Sequence, residues 1–172
     1  MLEVKFLDLI KDKKFGTINL GDSKEKVMEC LGTPDRYSSP DHNPTVFDAI
    51  RYGNWEFNFI KNKLHSISNT FIGNKRFDPD FHYKNDKFVV TSWFKKAWID
   101  TKLKNFKKKL DEENIQYVED IYYDAIRIRI DKYIDIMFSS EFAYHKEPEE
   151  WTKIDPKILN LKLFYFYLIS EQ

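Results

Sequence analysis

Across residues 45–71, apolar and polar positions alternate. Trp55, Phe57 and Phe59 fall on one side of an extended strand, and Glu56 and Asn58 on the other. Gly53-Asn54 interrupts the alternation with two residues that tolerate positive φ, a tight-hairpin signal. Lys61-Asn62-Lys63 then turns the chain into a third strand from Leu64. The stretch predicts an antiparallel meander with one buried face, and the other elements are read around that sheet.

Upstream, Leu2, Phe6, Leu7, Leu9 and Ile10 recur near helical spacing and predict a short amphipathic helix, followed by a strand over 15–20. Gly21-Asp22-Ser23 stops that strand and opens a helix. Asp22 or Ser23 is the cap, with Glu25 three residues after Asp22 as in a capping box. Val27, Met28 and Leu31 form its buried stripe, and Gly32 and Pro34 end it. Residues 88–94 read as a strand. Asp100 or Thr101 then caps a helix to about residue 114 whose stripe is Leu103, Phe106 and Leu110, with lysines at 102, 104, 107, 108 and 109. Strands follow at 115–118, 122–130 and 133–138, with Ile126, Ile128 and Ile130 facing one way and Arg127 and Arg129 the other. From residue 141 a polar excursion precedes a last buried strand in LNLKLFYFYLIS, too short an apolar run to cross a bilayer as a helix.

The fold class is therefore α+β, with helices packed on one or two antiparallel meander sheets. A first half spans 1–75, a linker 76–87 and a second half 88–172, packed together as one globular unit. Both halves run strand, capped helix, antiparallel strands, and Asp48-Ala49-Ile50-Arg51 recurs as Asp124-Ala125-Ile126-Arg127. Element order and recurrence together are compatible with an internal duplication. Trp55, Phe57, Phe59, Val27, Leu31, Ile126, Ile128, Ile130, Leu103 and Phe106 are the expected core.

Composition narrows the function classes. Basic and acidic residues balance at 28 each, so no global field draws the chain to nucleic acid or an anionic membrane. The single Cys30 rules out an intrachain disulfide and a cysteine-based zinc site. Acids at Glu3 and Asp8 interrupt the N-terminal apolar run, unlike a signal peptide, and a soluble cytoplasmic protein is expected.

Nucleophile elbows, phosphate-binding glycine loops and paired-histidine zinc helices are absent, and five glycines leave little material for a cofactor loop, so no cofactor is expected. Asp78, Asp80 and His82 could supply ligands for a metal-dependent hydrolase, against the plainer reading of a solvated turn. The lysine-rich helix with Trp93 and Trp98 invites a nucleic-acid module, but Asp111, Glu112, Glu113, Glu119 and Asp120 follow at once and would repel the same backbone. Cys30 between buried helix positions reads as a small core residue, and His42, His65 and His145 are isolated.

Gly21-Asp22-Ser23-Lys24-Glu25-Lys26-Val27, Leu31-Gly32-Thr33-Pro34-Asp35, Tyr52-Gly53, and Trp55 to Phe59 with the strand from Leu64 together resemble two groups of small bacterial proteins. One is the BamE (SmpA/OmlA) lipoprotein domain. The other is a group of uncharacterised cytoplasmic proteins similar to immunity proteins of polymorphic toxin systems. The resemblance covers about a third of the chain, and its matching positions are structural, so it carries over no catalytic residues. Without a lipobox, it implies the immunity-type role: a non-catalytic protein that binds and neutralises a cognate toxin domain. The alternating strands put Arg51, Glu56 and Asn58, and Arg127, Arg129 and Asp135, on the faces turned from the core. These are the expected partner-binding residues, and the acidic stretch with Glu112 and Glu113 is the competing surface.

Overall fold

The structure, a computed structural model, describes residues 1–38, 48–70, 82–93, 102–122, 125–139 and 162–170. In chain order the elements are β1 (Leu2–Lys5), α1 (Phe6–Asp12), α2 (Lys24–Leu31), β2 (Arg36–Ser38), β3 (Asp48–Tyr52), β4 (Trp55–Ile60), β5 (Lys63–Thr70), β6 (Phe88–Thr91), α3 (Leu103–Glu112), β7 (Val118–Tyr122), β8 (Ala125–Ile130), β9 (Ile134–Ser139) and β10 (Lys162–Ile169). Eight strands form one antiparallel sheet in the order β2-β3-β4-β5-β10-β9-β8-β7, and β1 pairs in parallel with β6 beside it. The α+β class with an antiparallel meander is the one expected.

From each rim inward the strands follow chain order, β2 to β5 and β7 to β10. The two meanders join where β10 lies along β5, with Ile67 opposite Leu168 and Asn69 opposite Phe166. Strands β3 and β8, which carry the recurring Ala-Ile-Arg, are each second from a rim.

All ten expected core residues are buried. The apolar stripes of the three described helices join the same cluster as the inward strand residues, so the helices lie on one side of the sheet. Phe15 meets Trp55 and Phe57 edge-on at 5.1 and 5.0 Å, Phe6 meets Phe166 at 5.1 Å, and Phe106 meets Phe138 at 5.2 Å. Burying each of these rings contributes about 1.5–3 kcal/mol. Asn69 is an exception on this face: it is fully buried, and neither its Nδ2 nor its Oδ1 has a hydrogen-bond partner.

Several boundaries differ from the sequence reading. The N-terminal periodic stretch is a strand, β1, before it is a helix, because residues 2–5 hydrogen-bond beside β6. Residues 15–20 make a tight turn closed by Phe15 and Ile18 rather than a strand, with Gly16 at φ +63 breaking the extended backbone. Ser23, not Asp22, caps α2, accepting from the Lys26 amide at 3.3 Å. Glu25 is thus not three residues after the cap, and its carboxylate instead accepts from Asn62 at 2.9 Å. Helix α3 starts after Lys102 with no side-chain cap, and the expected caps Asp100 and Thr101 lie outside the described residues. The strand expected over 115–118 runs instead over 118–122 as β7, and the one expected over 122–130 starts at Ala125 as β8.

Residues 82–87, assigned to the linker, pack onto the first meander. Asn85 donates to the Leu31 carbonyl at 2.9 Å and accepts from the Lys87 and Phe88 amides. The rest of that linker, and the polar excursion from 141, lie outside the described residues. In the β3–β4 hairpin only Gly53 has positive φ, +59, as in a II′ turn, whereas Lys61 and Asn62 both do, at +48 and +62, as in I′.

Candidate functional site

The sheet face turned away from the helices is built by the polar half of each alternation. Strand register places Arg51 opposite Glu56, Asn58 opposite Ser66, Arg127 opposite Met137 and Arg129 opposite Asp135. All six expected contact residues therefore share one side of one sheet, which the sequence had assigned to two separate faces. From β3 to β8 is five inter-strand steps, about 24 Å at ~4.8 Å each.

The charges pair across neighbouring strands. Arg51 bonds Glu56. Arg127 holds both Asp120 oxygens, through Nε to Oδ1 at 2.8 Å and a terminal nitrogen to Oδ2 at 2.5 Å, and its other terminal nitrogen reaches Asp135 at 3.5 Å. Arg129 Nε donates to Asp135 Oδ1 at 2.8 Å. The Arg127 bonds hold the Asp120 carboxyl below its usual range. Arg51 and Arg129 keep 46% and 42% of their side chains exposed, but Arg127 only 12%. The two outer arginines can therefore reach a partner while the third mainly organises the carboxylates around it.

Tyr165 and Tyr167 of β10, half-buried, lie between the two charged groups, with their rings stacked at 5.9 Å. Burial and the neighbouring Tyr167 push the Tyr165 hydroxyl up to about 12, so it stays protonated and able to donate. The sequence reading missed these tyrosines and placed Asp120 in the competing acidic stretch rather than on this face. The Phe-Tyr-Phe-Tyr alternation at 164–167 was the available signal for the tyrosines; nothing local to Asp120 announced its partner seven residues on.

The competing acidic stretch is largely neutralised. Glu113 accepts from Lys109 and Lys11, both at 2.6 Å, which holds its carboxyl down at about 2. Glu119 accepts from Lys107 at 2.5 Å, and Glu112 lies 3.8 Å from Lys108. The same contacts engage Lys107, Lys108 and Lys109 on the basic face of α3. Trp93 packs against Phe6 and Phe106 at 5.5 and 5.2 Å, a place beside the core; Trp98 lies outside the described residues.

Of the suggested metal ligands, Asp78 and Asp80 lie outside the described residues, and His82 Nε2 is 2.9 Å from Ser92 Oγ. Among the described residues no cluster of three or more His, Cys, Asp or Glu could hold a metal. A shallow pocket of about 400 Å³ opens beside Leu20, Ile60, Lys63 and His65. There His65 Nδ1 and Ser170 Oγ approach to 2.9 Å as cross-strand neighbours at the end of the β5–β10 ladder.

No family model, no curated protein and no solved structure matches this chain. No described helix is long and apolar enough to cross a membrane.

Proposed function

We propose that this is a non-catalytic binding protein, an immunity protein that neutralises a cognate bacterial toxin domain, and that the partner docks on the sheet face away from the helices. The resemblance of the α2 and first-hairpin motifs supports the class. The observation that carries the choice of surface is that Arg51 and Arg129, both substantially exposed, stand on one continuous sheet face with carboxylates beside them.

A β-sheet holds its side chains at fixed spacing, so such a face meets a partner with little ordering cost. Arginine forks pair bidentately with partner carboxylates, and the mixed charge steers association and rejects partners of the wrong pattern. The flanking carboxylates keep each arginine extended and aimed.

The test is co-expression with the product of the neighbouring reading frame, followed by calorimetric binding. The double reversal Arg51→Glu with Arg129→Glu should weaken binding by at least tenfold with an unchanged melting temperature. Glu112→Lys with Glu113→Lys should leave binding intact. Loss of binding only in the glutamate pair moves the site to the acidic stretch, and a neighbouring frame that encodes a metabolic enzyme without affinity for this chain overturns the functional class.

A further inference from the structure

The rim strand β7 carries three of the large exposed apolar side chains among the described residues: Val118 at 65%, Ile121 at 42% and Tyr122 at 41%. Among the described residues β7 is hydrogen-bonded only to β8, so alternate amides and carbonyls along it face outward from that ladder. Proteins commonly protect such a rim with unpaired charge or proline. This strand has no proline, and its two acids are already engaged inside the chain, Glu119 by Lys107 and Asp120 by both nitrogens of the Arg127 fork.

We infer that β7 pairs antiparallel with β7 of a second copy of this chain, about a twofold axis at Asp120, to form one continuous sheet. The sequence of the strand is self-complementary for that register. Val118 and Tyr122 lie two residues either side of Asp120 on one face, so each meets the other's counterpart across the axis, and Glu119 meets Ile121 on the opposite face. Antiparallel geometry supplies roughly four to six backbone hydrogen bonds. The two Asp120 carboxylates approach at the axis, but each is flanked by its own Arg127, giving the charge order plus, minus, minus, plus across the four strands. With basic and acidic residues balanced over the chain, no net charge opposes association. The other rim, β2, offers only three residues in place of five. An isologous contact of this kind closes on itself, so the assembly stops at two chains. The inference is separate from the partner-binding reading, which uses the broad face of the sheet from Arg51 to Arg129 rather than the outward edge of β7.

Sedimentation equilibrium on the full chain tests it. The wild type should show the mass of two chains, falling to one on dilution. Val118→Lys with Ile121→Lys should show one chain throughout, with an unchanged circular dichroism spectrum. Tyr37→Lys on β2 should retain the wild-type mass. If the double variant unfolds, Val118→Lys alone, at a side chain mostly in water, must weaken the dimer by at least tenfold. A wild type that stays at one chain at every attainable concentration, a dimer that survives the lysines on β7, or one lost with Tyr37→Lys would each overturn the proposal.

Discussion

Arg127 and Asp120 face each other across β7 and β8, and the guanidinium fork spans both carboxylate oxygens while the Tyr122 ring lies 4.5 Å from its carbon. The arginine is mostly covered and the aspartate 41% exposed, so the pair ranks between an exposed ion pair and a buried one. Arg127→Met should cost about 1–2 kcal/mol, and Asp120→Asn less. A double-mutant cycle by chemical denaturation should show positive coupling; additive costs would mean that the fork contributes nothing beyond packing.

Glu113 gives a pH dependence of known sign. Lys109 and Lys11 hold its folded pKa at about 2, below the ordinary 4.5, so the unfolded chain takes up the proton first as pH falls. The stability from these pairs is complete above about 4.5 and is lost as pH drops through about 2. Glu113→Gln should therefore melt below the wild type at neutral pH, and the two curves should converge in strong acid. A gap that persists at the acid end would assign the effect to something other than charge.

Phe57 is fully buried and meets Phe15 at 5.0 Å and Tyr52 at 5.7 Å, both edge-on. Phe57→Ala should cost about 3–5 kcal/mol, a large share of a domain's stability. A change under 1 kcal/mol (about the effect of a typical surface substitution) would place the ring outside the core.

Asn69 gives the opposite sign. Its amide is buried opposite Trp55 and Phe166 without a hydrogen-bond partner. Asn69→Leu, of similar shape, should stabilise the fold by about 1–3 kcal/mol, the usual cost of an unpaired buried polar group. A loss of stability on urea unfolding would reveal a bond that this amide makes.

Gly53 is fixed by backbone and by space. Its φ is +59, and a Cβ there would lie 2.6 Å from Tyr83 Cδ2, in a ring whose hydroxyl bonds Asp35 at 3.1 Å. Gly53→Ala should cost at least ~1–2 kcal/mol from the left-handed backbone alone. The cost should shrink in a Tyr83→Ala background, where the steric part is gone. An equal cost in both backgrounds would leave only the backbone contribution.

What the sequence made legible was local. Alternation in β4 and β8 and the stripes of α2 and α3 marked the core residues, Met28 of α2 alone being only partly buried, because burial of one face repeats with the period of the element itself. It did not reveal pairings between distant stretches. Nothing near Leu2 marks β6 as its neighbour, and nothing near Ser68 marks Tyr167. The misassigned strand over 15–20 failed at Gly16, whose positive φ overrode an apolar spacing that suits either state. For the candidate face the residues were legible and their union was not, since it depends on β5 and β10 joining two meanders into one sheet.

That junction also sets an order of events during synthesis. Thr70 of β5 pairs with Tyr165 of β10, so β5 leaves the ribosome long before its central partner exists. Until then its inner edge is a bare template, and one carrying the apolar Ile67. Contacts this distant in sequence must close a large loop before they give any stabilisation, which slows the final step and lengthens the exposure. The nascent first half is thus the form of this protein most prone to aggregate and most in need of a chaperone.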